Sequence, residues 1–410
     1  MTAGVLDSLG WSVGWTLLTL LIVREHGLEI AGLSGAAMLG GVALSAPLSA
    51  QLSRRLSGRQ LLIATASGEA VLRVVAFVVL LAGWPITSLL TCIAATSAIG
   101  WTGYAAMRAE VAAGDGGARS LTWYTSAITA VEAAGIGVAA LLPLERSGVD
   151  ETVVLVAACC AASLVPTALA ARRSPITASC SPHARSRLRL SGPATGGCAL
   201  MLLCSGPTLL AVALTTQLHG RHAVVFVGAA FTAGCLLAPA LAGRLGRAAV
   251  RPAAAWSMCA LGVIAGWIAA PAHLALLCLA QFSSGLCMTT VEGLIDTEVA
   301  DRSAGRVTGA LAGASATRAL GSAGAVALLP PAVETLGLQA TAAMLSALVA
   351  CSALVLSTRR AAAAGRTAGS GGRATAGWLR AQPPTGSPTP ADASASSCCR
   401  SISSPKSISQ

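Results

Sequence analysis

The chain has 410 residues, of which 54% are hydrophobic, 10% charged and 3% aromatic, with a mean hydropathy of +0.72. Domains that face water carry about 25% charged residues, so this composition excludes a soluble enzyme, a disordered regulator and a disulfide-stapled secreted domain. The formal net charge of +11 does not point to nucleic acid: every basic residue except Lys406 is an arginine, and the arginines stand in short clusters between apolar runs.

A bilayer core about 30 Å thick needs roughly 20 apolar residues per helix. In chain order, runs of that kind predict spans at 4–23, 30–50, 60–82, 85–107, 120–143, 151–171, 196–216, 222–242, 252–270, 273–295, 307–329 and 337–357, an all-α membrane protein with twelve transmembrane helices. The first run, Val5 to Val23, lacks a basic leader and a small-residue cleavage site, so it reads as span 1 and not as a signal peptide. Arginines gather in alternate loops: Arg54, Arg55 and Arg59; Arg108 and Arg119; Arg172, Arg173, Arg185, Arg187 and Arg189; Arg244, Arg247 and Arg251; Arg302 and Arg306. The opposite face holds Arg24, Arg146 and Arg221. This positive-inside bias predicts a multi-pass protein of the cell inner membrane with both termini cytoplasmic.

Four parts follow: an N-terminal six-helix bundle over 1–171, a basic cytoplasmic linker over 172–195, a C-terminal six-helix bundle over 196–358, and a tail over 359–410. The tail is low-complexity Ala, Gly, Ser, Thr and Pro, and is expected to be disordered. The cysteines lie mostly inside apolar runs, among them Cys92, Cys160, Cys204, Cys259 and Cys278, where the thiol acts as a small hydrophobe.

The two bundles look like a duplication. Leu52-Ser-Arg-Arg-Leu-Ser-Gly-Arg59 between spans 2 and 3 is matched by Leu241-Ala-Gly-Arg-Leu-Gly-Arg247 between spans 8 and 9. Ala109-Glu-Val-Ala112 closing span 4 is matched by Thr297-Glu-Val-Ala300 closing span 10, and Arg119 and Arg306 open the next spans, all at a nearly constant offset. Parallel six-helix halves are one way to build a secondary transporter, with substrate held near the midplane between them.

The segment Leu52 to Leu62, with its weaker copy at Leu241 to Arg247, resembles the G-x-L-A-D-R-x-G-R-R loop of the major facilitator superfamily; Leu6-Asp-Ser-Leu-Gly10 and Arg108-Ala-Glu-Val111 are similar to segments of bacterial exporters of that family. The resemblance covers about 4–358. It implies the major facilitator fold, and a cytoplasmic gate formed by Arg54, Arg55, Gly58, Arg59, Arg108 and Glu110, with Arg244, Gly246, Arg247, Asp296 and Glu298 in the second half. The family's acidic residue in that loop aligns with Arg54 here and with Gly243 in the copy.

An ionisable group inside a bilayer costs at least about 2.5–3.5 kcal/mol, so each is a functional candidate. Glu69 and Arg73, four apart in span 3, read first as a self-neutralising structural pair and second as a transport element. Glu132 in span 5 and Arg318 in span 11 occupy repeat-related positions and are expected to face one cavity, where they would bind a polar or zwitterionic substrate or couple it to a proton; local satisfaction by a hydroxyl or neighbouring helix is the competing reading. Asp7 lines the cytoplasmic mouth or, as favoured, sits at the interface. Glu292 and Asp296, with Glu298, Asp301 and Arg302, are assigned to the gate, a solvated loop being the alternative. Trp11, Trp101 and Trp123 lie deep enough to stack on a hydrophobic substrate.

No G-x-x-x-x-G-K-[ST] loop is present and the histidines lack metal-ligand spacing, so neither an enzyme nor a cofactor is expected. The expectation is a monomeric secondary transporter exporting a small amphipathic molecule at the expense of the proton gradient, with a non-transporting sensor or partner subunit on the same fold, or nutrient uptake, as alternatives. Labelling of introduced cysteines is expected to place Arg185 and Arg366 inside and Arg146 outside; an external signal at position 185 would end the twelve-span reading.

Overall fold

The computed structural model describes residues 2–52, 55–113, 117–142, 149–173, 192–248, 250–302 and 307–371, and residues Met1–Ser357 form one compact unit. The first half of the chain contributes α1 (Thr2–Leu52), α2 (Gly58–Leu81), α3 (Ile86–Ala113), α4 (Gly117–Leu141), α5 (Val149–Ala162) and α6 (Val165–Arg173). The second contributes α7 (Gly192–Cys204), α8 (Gly206–Leu209), α9 (Ala211–His219), α10 (Ala223–Arg247), α11 (Pro252–Ile264) with a short 3-10 extension (Ala265–Ile268), α12 (Leu274–Asp301), α13 (Val307–Leu336) and α14 (Leu338–Gly371). Among the described residues, seven helical stretches are long and apolar enough to cross a membrane: Thr2–Leu52, Gly58–Leu81, Ile86–Met107, Glu151–Arg172, Ala223–Leu245, Leu274–Val299 and Ala310–Leu336. Shorter apolar helices occupy Ala127–Leu141, Gly192–Cys204, Pro252–Ile268 and Leu338–Leu354.

Local chemistry sets the breaks. Inside α1 the chain turns at Gly27, whose φ of 77° lies in the left-handed region that a side chain disfavours, so one continuous helix by hydrogen bonding is two rods in direction. Pro166 and Pro207 follow the breaks between α5 and α6 and between α7 and α8, since neither can donate to the carbonyl four residues earlier. At the start of α2, the Ser57 Oγ accepts from the Gln60 backbone N–H at 3.3 Å and the Gln60 side chain accepts from the Ser57 N–H at 3.0 Å, a reciprocal capping box. The tail expectation is corrected in part. α14 runs past Arg359 to Gly371 because Arg359-Arg-Ala-Ala-Ala-Ala consists of good helix formers; the later tail residues, like 174–191 of the linker, lie outside the described residues.

Small residues set the packing distances. A Cβ at Gly234 of α10 would collide with the Phe282 carbonyl of α12, and one at Gly285 of α12 with the Phe231 carbonyl of α10, so these backbones touch. Gly41 of α1 meets the Ala94 carbonyl of α3 in the same way. Such close crossings gain dispersion energy where no hydrophobic effect operates between helices in lipid.

The end of the bundle where the chain begins is termed the near end, and the end where Gly27 turns the far end. The two chain halves meet through α1 with α13 and α9, and through α4 with α10. The identified contacts lie toward the far end: Gly32 against Pro330, Gly35 against Val326 and Leu210, and Ile136 against Gly228. Arg221, in the turn before α10, closes this seam by donating from Nε to the Ala140 carbonyl at 3.2 Å and from Nη2 to the Leu142 carbonyl at the C-terminus of α4. A cation there satisfies carbonyls the helix leaves free and complements its dipole, worth about 1 kcal/mol. Arg221→Ala is accordingly expected to loosen the far-end seam. An impermeant maleimide should label a cysteine introduced at Val225 roughly three- to tenfold faster, the equivalent of that energy; an unchanged rate would show that the clamp carries no closure energy.

Candidate functional site

Charge inside this bundle is concentrated in two places. The first lies within the N-terminal half, where Arg73 of α2 is buried at 5% exposure. Its guanidinium spends all five N–H donors on protein acceptors. Nε donates to Glu69 Oε1 at 3.1 Å, Nη2 to the same oxygen at 2.5 Å and to Asp7 Oδ1 at 2.7 Å, and Nη1 to the Cys160 carbonyl at 2.9 Å and Ser163 Oγ at 3.2 Å. Its cationic carbon lies 5.2 Å from the Trp11 ring centroid, and Trp11 stacks on Trp15 at 5.9 Å. Gly100 of α3 makes room for Glu69, because a Cβ there would stand 2.6 Å from Oε1.

The expected Glu69–Arg73 pair is present. The favoured interfacial placement of Asp7 is corrected: Arg73 draws it into the knot, which ties α1, α2 and the α5–α6 break together. Trp11 is likewise engaged by the arginine. An adjoining cavity of about 30 Å³, lined by Gly10, Trp11, Gly14, Arg73, Phe77 and Thr96 among others, lies inside this half and has room for water.

The second concentration lies where the halves face each other. On α4, Gly135 abuts Ser12 of α1 and Ile136 abuts Gly228 of α10. Glu132 stands three and four residues before them, on the stripe between the two faces, and its backbone carbonyl accepts from Ser12 Oγ at 2.6 Å. On α12, Thr289 donates to Cys235 Sγ of α10 at 3.3 Å and Ile295 packs over Gly197 of α7, so Glu292, three residues from each, faces the space between α7 and α10. Glu132 and Glu292 both act electrostatically on Cys235.

Arg318 of α13 is buried with its stem against Gly197, and donates to both oxygens of Asp296 at 2.6 and 3.3 Å. Arg318, expected to face one cavity with Glu132, forms a bidentate ion pair within the second half. Asp296, expected in the gate, holds Arg318, because α12 places it one turn beyond Glu292 on the side that α13 approaches. Glu292 feels both charges but, like Glu132, receives no hydrogen bond to its carboxylate among the described residues. Sequence reasoning put Glu292 in the gate and missed this position; its mid-span spacing on an apolar helix was the available signal.

The residues expected in the gate are described in part. Arg55 and Arg244 are exposed, Gly58 opens α2, and Arg59 donates to the Arg172 carbonyl at the end of α6. Glu298 pairs with Arg302 one turn on along its own helix and not with Arg244, since a partner at i+4 needs no loop to be ordered. Arg54 and the side chains of Arg108, Glu110, Gly246, Arg247 and Trp123 lie outside the described residues. Trp101 is exposed on α3 and meets Tyr104 edge-on at 5.3 Å.

Removing one member of a buried charge network leaves its partners uncompensated, at about 3–5 kcal/mol. Arg73→Ala is thus expected to lower the melting temperature in detergent sharply, and Arg73→Ala combined with Glu69→Gln and Asp7→Asn to recover part of the loss. If the triple variant melts no higher than the single one, packing and not charge holds the knot.

No protein-family model matches the chain, and no curated protein matches it. Solved structures do. A mutant of the nucleoside transporter NupG matches with a TM-score of 0.66 at 14% identity, over 87% of this chain and 98% of that one. A D-xylose-proton symporter matches with a TM-score of 0.62 at 15% identity, over 86% and 95%. The inward-open xylose transporter XylE from E. coli matches with a TM-score of 0.62 at 13% identity, over 86% and 94%. Over 86–87% of its length the chain shares the fold of these transporters, the major facilitator fold.

Proposed function

We propose that the protein is a secondary active transporter of the cell inner membrane, with twelve spans in two six-helix bundles and both termini cytoplasmic, that exchanges a small amphipathic cation for protons. The reading rests on one observation: Asp296 occupies Arg318, which leaves the carboxylates of Glu132 and Glu292, both close enough to act on Cys235 of α10, without a hydrogen-bond partner among the described residues. The four groups sum to two net negative charges, a field that attracts cations and repels anions. Each carboxylate can hold a proton or a cation and not both, and a group so shared between two ligands couples their movements in opposite directions. The arginine-rich loops on the side of the termini support the orientation. The likeness to a D-xylose-proton symporter favours a second reading, in which solute and proton move together.

The two readings give opposite signs in proteoliposomes. With 1-methyl-4-phenylpyridinium as the probe, an acid interior is expected to drive accumulation by exchange, whereas symport needs an acid exterior. Uncharged 4-phenylpyridine should show no protein-dependent flux. Glu132→Gln should cut gradient-driven accumulation at least tenfold while leaving counterflow of labelled cation partly intact. Cation accumulation under neither gradient would sink the proposal, and accumulation only with an acid exterior would establish symport in its place.

A further inference from the structure

The second half contains a feature that transport, as proposed, does not use. α11 and its extension lie against α12 along a line of small residues: a Cβ at Gly266 would stand 2.9 Å from the Ala280 Cα, and one at Gly262 would stand 2.5 Å from Cys287 Sγ. The absent side chain of Gly262 is the notch that receives the Cys287 thiol. One turn earlier on α11, Cys259 faces the same place, in the apolar cluster against which Cys287 packs, and the two side chains interact. Both cysteines are free; Cys259 is buried and Cys287 half-buried. The register that juxtaposes them is fixed from α12, where Ser283 donates to the Gly262 carbonyl at 2.6 Å and Ser284 to the Val263 carbonyl at 3.0 Å. Further soft sulfur surrounds the pair, since Met201 and Met288 pack in the same apolar cluster.

We propose that Cys259 and Cys287 form a chelating dithiol site for soft, thiophilic metal and metalloid ions, of which trivalent arsenic is the representative. Two thiols already in contact on two rigid helices lose little freedom on chelation, which is the main cost of a bidentate site. Thiolates select soft ions, and hard cations would forfeit their oxygen ligands in this apolar setting. With an organoarsenic oxide the chemistry balances without an oxidant: two S–H bonds break, two As–S bonds form, and the oxide oxygen leaves with both protons as water. The bridge would pin α11 to α12 about 7.5 Å of helix rise from Glu292, so on the transporter reading it should also arrest flux.

Phenylarsine oxide and the purified full-length protein test this. In the wild type, arsenic binding is expected to protect Cys259 and Cys287 from a maleimide, read peptide by peptide by mass spectrometry, and dimercaptopropanol should reverse it. Cys259→Ser, Cys287→Ser and the double variant should each bind one arsenic fewer than wild type, because a shared site is lost once. Sequence-adjacent pairs such as Cys159–Cys160 account for any arsenic that remains. Unprotected Cys259 and Cys287 in the wild type would overturn the proposal, whatever the variants do. Protection with undiminished 1-methyl-4-phenylpyridinium flux would leave the site standing and overturn its link to transport.

Discussion

Hydrocarbon solvates neither a charge nor an unpaired amide, and the arrangement of this protein follows from how it meets that condition. Backbone groups are satisfied within helices. Charged side chains must find partners on other helices or be left facing the space between the halves. Arg73 meets the condition completely, with every N–H placed and an indole against its face. Because its acceptors come from α1, α2 and the α5–α6 break, electrostatic satisfaction and assembly of the N-terminal half are one event. Arg318 meets it through both oxygens of Asp296, which joins α13 to α12 in the C-terminal half. Glu132 and Glu292 are the remainder, and the remainder is where the proposed chemistry lies.

Packing and electrostatics depend on each other here. Gly100 leaves the room that Glu69 occupies, and Gly197 leaves the room that the stem of Arg318 occupies. A larger residue at either place would displace a charge from its partner as well as separate two helices. Between the halves the relation is different. Their far-end seam is built from apolar and glycine contacts, closed by a cation on helix carbonyls, with no buried carboxylate among the described residues involved. A seam of that kind opens at modest cost, whereas the charged knot inside one half does not. On the proposed reading, alternating access needs stiff halves and a soft junction, which this distribution of charge would supply. The dithiol lies on the stiff side, inside the C-terminal half, where a covalent bridge would act on the helix that carries Glu292.

The all-helical class, the membrane character and the Glu69–Arg73 pair were legible in the residues, because hydropathy and i,i+4 spacing are properties of a few adjacent turns. The break before Pro207 falls inside the expected span 196–216, which hydropathy alone reads as continuous. What only the tertiary structure decided were the partners drawn from distant turns. Asp7 joined Arg73 across 66 positions of the chain, and Asp296 took Arg318 across 22. Glu132 was left alone in consequence, and Cys259 came to lie on Cys287 through a notch at Gly262. A repeat in sequence predicts equivalent backbone positions, but it does not predict which of several nearby charges wins a guanidinium. That is settled by the angle at which helices cross and by the glycine that lets them approach, and both exist only once the chain is folded.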